Sequence, residues 1–336
     1  MSIFKGTKKP FFVYSEPMAT LIGKRWTPFQ VMAVVTVLAT LVLIVVGGLV
    51  RASGAGLGCP DWPKCFGVWI PPTNVADLPP GWDPALFNPT HTWLEYINRL
   101  VGVLIGLFIT VTMILSFWWV RRDPIVTAFS VLSFVLVIFQ AWLGGQVVRS
   151  QLEGGMITAH MLLAMLIVSL LLFAAFRGHR ERLQFSMPKS QRQQLLFVGI
   201  VLFTVSILQM VLGTQVRELI DAAKNAATKP PRSQWLDVEN TLYIVHRSFS
   251  WIVLAAMGSL AWIHRRHSSF TPSWMGKIVL WIGVLVVSQV FIGIGLERLD
   301  MPGVLQLLHL SGISFLLTLQ FMYILVLWQS VNVEST

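Results

Sequence analysis

The sequence predicts an all-α integral membrane protein: eight transmembrane helices arranged as two tandem four-helix bundles, related by a pseudo-twofold along the membrane normal. Three observations lead there: an extreme apolar composition, eight separate apolar stretches of spanning length, and a polar residue set that recurs in both halves. The chain is 55% hydrophobic and only 12% charged, with a mean hydropathy of +0.69. A soluble domain of 336 residues needs a more polar surface.

A hydrocarbon core of about 30 Å takes about 20 apolar residues as a helix. Such stretches fall at 28–50, 94–120, 125–148, 156–176, 194–216, 241–263, 276–297 and 304–329. None alternates in the manner of a barrel strand. The first follows a basic polar stretch without a small-residue cleavage site, and is expected to be a retained span.

Residues 1–27 then form a cytoplasmic tail, 28–180 a first repeat with an outer loop at 52–93, 181–193 a cytoplasmic linker, and 194–330 a second repeat. Lys5, Lys8, Lys9, Lys24, Arg25, Arg121, Arg122, Arg177, Arg180, Arg182, Lys189, Arg192, Arg265, Arg266 and Lys277 all fall on one side of eight spans. By the positive-inside rule both termini are cytoplasmic, and the loops near 52–93 and 218–240 lie outside. This topogenic pattern accounts for much of the net charge of +10. Basic residues spread among loops form no nucleic-acid face, so nucleic acid is not an expected partner.

The halves align by spacing. Gly47 and Gly213 each precede an arginine, Arg51 and Arg217, by four residues. Gly144 and Gly293 precede Arg149 and Arg298 by five residues, and His160 and His309 by sixteen. Four spans per half give both halves the same orientation, hence the pseudo-twofold. Helix packing is the reading preferred for Gly144, Gly145, Gly293 and Gly295.

Histidine in a bilayer is costly unless something binds it, and His246 and His309 occupy matching positions near outer helix ends. From the second and fourth helices of one bundle they would ligate one iron from opposite sides, the closed coordination of an electron-transfer haem. The first half offers His160, with Asn98 where the matching histidine is expected. An amide is a poor iron ligand. The site is therefore either open, for a substrate haem or a reactive centre, or degenerate.

Glu95 lies three residues before Asn98, on nearly the same helix face. It is either an interfacial anchor or a desolvated carboxylate for proton chemistry. Tyr243 matches it in the second half. His91 lies one turn earlier if the helix begins early, as an alternative ligand or proton carrier; Pro89 and Thr90 favour a helix start there with an exposed first turn.

Arg51, Arg149, Arg217 and Arg298, at outer helix ends, suit either haem propionates or interface snorkelling. His179, His264 and His267, among cytoplasmic arginines, are expected to be solvated. Cys59 and Cys65 face an oxidising space such as a bacterial periplasm, as a disulfide or a reversible thiol pair. No C-x-x-C-H is present to attach a c-type haem.

The segment Gly47-Gly48-Leu49-Val50-Arg51-Ala52-Ser53-Gly54-Ala55-Gly56-Leu57-Gly58-Cys59-Pro60-Asp61-Trp62-Pro63-Lys64-Cys65 resembles the haem A synthase family. So do Glu95-Tyr96-Ile97-Asn98-Arg99, Thr158-Ala159-His160, His246-Arg247 and Leu308-His309. The resemblance covers nearly the whole chain. It implies oxidation of a methyl group of haem O to a formyl group, giving haem A for cytochrome oxidase, in the inner (plasma) membrane of a bacterium. It further implies haem b on His246 and His309, substrate haem on His160, and Glu95 as the essential carboxylate. The family usually has histidine at position 98, which here is asparagine.

Implied partners are the bilayer, haem O and the haem O synthase that supplies it, an electron acceptor, and a second copy of the chain in a homo-oligomer. The competing class is a non-catalytic haem-b-binding membrane protein, either an electron-transfer cytochrome or an oxidase assembly factor. A transporter is disfavoured because no span is broken near its middle.

Overall fold

The computed structural model describes residues 26–333 except 122, 180–184, 225, 227 and 229. Lys5, Lys8, Lys9, Lys24, Arg25, Arg122, Arg180 and Arg182 lie outside the described residues. Eight helices among those described are long and apolar enough to cross a membrane. They are α1 (Pro28–Ala52), α2 (Pro89–Trp119), α3 (Pro124–Arg149), α4 (Gly154–Gly178), α5 (Lys189–Lys224), α6 (Thr241–Arg266), α7 (Ser273–Arg298) and α8 (Gly303–Gln329). At 1.5 Å per residue even the shortest exceeds a hydrocarbon core. Large apolar side chains face outward, among them Phe197, Trp251 and Phe291, each at least 70% exposed. Such a surface suits acyl chains rather than water. The chain is a multi-pass membrane protein.

Helix starts follow from local chemistry. Thr27 and Gln30 form a reciprocal capping box before Pro28. The Gln30 amide also donates to the Gly178 carbonyl at 2.8 Å, tying the start of α1 to the end of α4. Asn88 caps α2 by accepting from the His91 N–H at 3.1 Å, so α2 begins five residues ahead of the apolar run that predicts it.

Helix α5 also outruns its apolar stretch at both ends. Residues 189–194 are polar but good helix formers, and the outer extension is held by an Arg217–Asp221 ion pair one turn apart at 3.0 Å. Val216 and Ile220 pack there on Tyr243 and Met301. Part of the expected outer loop at 218–240 is therefore helix. A short parallel bridge, β1 (Ser186–Pro188) with β2 (Val331–Val333), joins the entrance of α5 to the chain beyond α8.

Sequential helices pair as α1/α2, α3/α4, α5/α6 and α7/α8. The rings close through α2/α3 with α1/α4, and α6/α7 with α5/α8. Between the halves, α1 packs on α8, α4 on α5, and α4 on α8. A twofold that exchanges α1 with α5 and α4 with α8 swaps the first two contacts and maps the third onto itself. The pairing fits two tandem four-helix bundles.

The outer turns repeat as well. Gln151 and Leu152 after α3, and Asp300 and Met301 after α7, are adjacent left-handed residues at φ between 53° and 67°. Four non-glycine residues in this costly region, at equivalent places, show one turn geometry used twice.

Two histidines differ from expectation. His179 is buried, with Nδ1 against the Ala175 carbonyl at 2.7 Å and its ring edge-on to Trp26. His264 is buried on the inner face of α6, with Nδ1 3.2 Å from the Tyr323 hydroxyl. Neighbouring arginines suggest solvent, but helical phase turns both rings inward. His267 is half-buried rather than fully solvated, and its Nε2 meets Gln194 at 2.8 Å.

The first outer loop lies close against α2. A Cβ added at Gly58 would sit 2.2 Å from the His91 carbonyl oxygen and 2.4 Å from its carbon. Backbone cannot yield as a side chain can. Gly58→Ala is expected to destabilise by about 2–3 kcal/mol, whereas Gly106→Ala, where a Cβ meets nothing within 4 Å, changes stability little. Thermal unfolding in detergent compares the two, and equal melting temperatures contradict the close approach.

Candidate functional site

The polar set that recurs in the sequence is gathered by one packing device. In every sequential helix pair, a glycine on the first helix faces the repeated polar residue on the second. A Cβ on Gly47 would lie 3.7 Å from Asn98 Oδ1. The corresponding distances to histidine Cε1 are 3.3 Å for Gly144 and His160, 3.1 Å for Gly213 and His246, and 3.7 Å for Gly293 and His309. The expectation of plain helix packing is thus refined for Gly144 and Gly293, which give room to imidazoles. Gly295 does face helix packing, from Leu305, while Gly145 receives Trp62 of the outer loop.

In the second half, His246 of α6 and His309 of α8 meet across the bundle. Their ring centroids are 6.5 Å apart with planes at 80°. Two metal–nitrogen bonds of about 2 Å each plus two ring radii come to about 6 Å, so an iron fits between them. Both rings line a cavity of about 260 Å³. In each, Nδ1 is buried without a hydrogen-bond partner, whereas Nε2 is not among the buried unpartnered atoms. A bis-histidine haem therefore fits the donors present.

The rim of this cavity draws on both halves. Arg51 of α1 and Arg217 of α5 line it and share the Asp221 carboxylate, and Arg217 also donates to Gln306. Two arginines against one carboxylate leave the cluster positive, a setting that suits propionates. Arg149 and Arg298 are exposed at the ends of α3 and α7. Tyr243 donates to Glu297, which faces Arg247 at 3.8 Å; all three line the cavity. The cavity's carboxylate thus comes from α7, since tyrosine occupies the position that matches Glu95.

The first half is built differently. Glu95 is 6% exposed and accepts from Arg99 Nε at 3.1 Å. The same guanidinium donates to the carbonyls of Asp61 and Lys64, both at 2.8 Å, and of Cys59 at 3.2 Å. Cys59 and Cys65 form a disulfide, and the buried pair packs with Phe66 against Tyr96 and Trp82. Asp61 accepts from the N–H groups of Phe66 and Gly67, which fixes the small loop.

Arg99 therefore welds the acidic residue to the disulfide loop, and Trp62 of that loop reaches Gly145, beside the glycine that faces His160. Asn98 Oδ1 and His160 Nδ1 are buried without partners. His91 is half-buried in the first turn of α2. Between the halves, the Thr158 hydroxyl donates to Thr214 at 2.9 Å, joining the helix of His160 to the residue next to Gly213.

The sequence reading passed over Gln140, Gln209 and Gln289, each one turn before a facing glycine. Gln140 and Gln209 donate to the backbone carbonyls of His160 and His246, both at 3.0 Å, and Gln289 to that of Leu308 at 3.4 Å. The signal was the repeat itself, extended one turn beyond the glycines. The fourth equivalent position is Leu43.

Residues 30–321 match the model of the COX15-CtaA family, described as cytochrome oxidase assembly protein. A haem A synthase from Shewanella oneidensis is 26% identical over 316 residues, covering 84% of this chain and 92% of that protein. One from Cereibacter sphaeroides is 26% identical over 314 residues, 77% of each. One from Alkalihalophilus pseudofirmus is 32% identical over 157 residues, 45% of this chain and 48% of its own. Eight helices, a repeated glycine-faced polar set and a match over most of the chain agree: the protein belongs to the COX15-CtaA family of cytochrome oxidase assembly proteins.

Proposed function

We propose that the chain is a haem A synthase, which oxidises the methyl group of haem O to a formyl group for cytochrome oxidase assembly. The observation that carries this reading is the unequal pair of half-sites within one duplicated fold. His246 and His309 face each other at 6.5 Å and suit a resident haem b, which supplies one-electron relay when bound. Arg51 and Arg217 suit its propionates. His160 is the ligand offered to the substrate haem, and Asn98 leaves the opposite side without a strong ligand.

Glu95 is the carboxylate nearest that side by sequence, three residues before Asn98. Converting methyl to hydroxymethyl and then to a hydrated aldehyde replaces a C–H by a C–OH bond in each step, with the oxygen taken from water and two protons and two electrons released; the hydrated aldehyde then loses water to give the formyl group. In this reading Glu95 Oε, buried and paired with Arg99, takes and returns such protons. The disulfide loop, anchored by Arg99, keeps bulk water from that end of α2. The site faces the outer side of a bacterial plasma membrane, with both chain ends in the cytoplasm. A haem b held by His246 and His309 would supply the relay by which electrons reach an acceptor outside the chain.

A second reading, a non-catalytic haem-b protein in oxidase assembly, is favoured by one observation: both Asn98 and Leu43 depart from the pattern of the other three quadrants.

Expression in cells that make haem O but no haem A, followed by haem extraction and chromatography, separates the two. Hydroxylated haem or haem A is expected. Their absence, with folded protein carrying haem b, leaves the second reading. Glu95→Gln is expected to lower conversion by about 100-fold or more, the usual worth of a positioned acid–base group, with the haem b spectrum unchanged. Unchanged conversion removes Glu95 from proton transfer. His246→Ala or His309→Ala is expected to abolish the low-spin haem b absorbance, and a retained spectrum shifts that haem to the other half.

A further inference from the structure

Resting on the reading that these imidazoles hold haem iron, we propose that Gln209 and Gln140 are positioning residues for it. When His246 and His160 bind iron through Nε2, the side-chain carbonyl oxygens of Gln209 and Gln140 accept the Nδ1–H of those rings.

Two matched pairs of unsatisfied atoms point to this. Gln209 Oε1 and His246 Nδ1 are both buried without partners, and so are Gln140 Oε1 and His160 Nδ1. Each pair consists of a free acceptor on one helix and a free ring nitrogen on the next. The amides are already anchored beside their rings, since Gln209 Nε2 donates to the His246 carbonyl and Gln140 Nε2 to that of His160, both at 3.0 Å. The acceptor oxygen belongs to the same amide, one turn from the glycine that faces the ring. The facing glycines meet the rings at Cε1, with Nδ1 beside it: a Cβ at Gly213 would lie 3.7 Å from His246 Nδ1 and 3.9 Å from its Nε2, and one at Gly144 3.9 Å from His160 Nδ1.

The chemistry calls for such an acceptor. A neutral imidazole carries one proton, and ligation through Nε2 fixes it on Nδ1. A metal-bound histidine nearly always donates that N–H to a neighbour, which orients the ring and makes it a better donor to the metal. In an apolar bundle a donor without an acceptor is costly.

The fourth quadrant supplies an internal control. Position 98 has no imidazole, and position 43, where the glutamine would stand, is leucine. Helices α1 and α2 still pack, with Thr36 and Thr112 hydroxyls 2.8 Å apart. Glutamine thus goes with the ring rather than with the helix contact. Gln289 holds the equivalent place opposite His309, but its amide is pressed on Gly312 and reaches the Leu308 carbonyl at 3.4 Å, so the inference is confined to the other two.

The test is a redox titration of the low-spin haem b in the purified holoprotein, comparing wild type with Gln209→Leu and Gln209→Glu at measured haem content. Donation from Nδ1–H favours ferric iron. Gln209→Leu is therefore expected to raise the midpoint potential and Gln209→Glu, with a stronger acceptor, to lower it. Unchanged potentials, or shifts in one direction for both, overturn the proposal. If Gln209→Leu loses its haem, Gln209→Asn, which withdraws the acceptor without adding charge, decides instead: a rise supports the bond and an unchanged value overturns it. Wild-type protein without low-spin haem b, or with a spectrum that survives His246→Ala, instead overturns the haem reading beneath the proposal.

Discussion

The repeated sites of this structure answer one demand: a polar side chain must be lodged between two helices in hydrocarbon. Packed helix axes lie about 8–10 Å apart, too close for an imidazole to stand upright against an opposing side chain. A glycine faces the polar residue in all four sequential pairs, and at Gly144 and Gly213 an added Cβ would crowd the ring at 3.3 and 3.1 Å. The glycines fix which faces of α1, α3, α5 and α7 meet their partners. That choice in turn sets where the rings point. Across the second bundle it brings His246 and His309 to 6.5 Å, near the span of one ligated iron.

Around this shared frame the two halves differ at their outer ends. Arg99 is committed to Glu95 and three loop carbonyls, so the first half's acid is fastened to the disulfide loop. In the second half the equivalent Arg247 is 61% exposed on its side chain, and the acid it meets comes from α7. Removing either member of a buried ion pair strands the other charge. Glu95 and Arg99 therefore stand or fall together with the order of the loop, a coupling that Glu297 and the exposed Arg247 lack.

Much of this was legible in the chain. Eight apolar runs of spanning length have one stable form in a bilayer, and the matched glycine-to-histidine spacings locate the ring-bearing helices. The ends of α2 and α5 were not legible from hydropathy, because Asn88 and the Arg217–Asp221 pair extend helix into polar surroundings where hydropathy is silent. His179 and His264 were misjudged because adjacent arginines dominate the local composition, while burial follows helical phase. Gln140 and Gln209 escaped notice because a glutamine in an apolar run has no period of its own; its meaning appears only against the ring on the next helix. The Arg51–Asp221–Arg217 cluster joins α1 to α5 and depends on how the halves dock, which no local pattern encodes.

The departure at position 98 is better understood as the loss of a unit than as one substitution. Asn98 alone would be a missing ligand in an otherwise intact quadrant. With Leu43, both the ring and the amide that stands beside it are gone, while Gly47 keeps the room a ring would use. A Cβ at Gly47 would meet Asn98 Oδ1 at 3.7 Å, an ordinary contact, so the shorter amide leaves this pair less crowded than Gly144 and Gly213 leave their rings. Space without a ligand is what a bulky substrate haem needs on its reacting side. It would be held by His160 from one helix and left uncrowded by Asn98 and Gly47 from the other two. On the proposed reading, the duplicated scaffold would give one half to a closed, bis-histidine haem and the other to a haem with an open face.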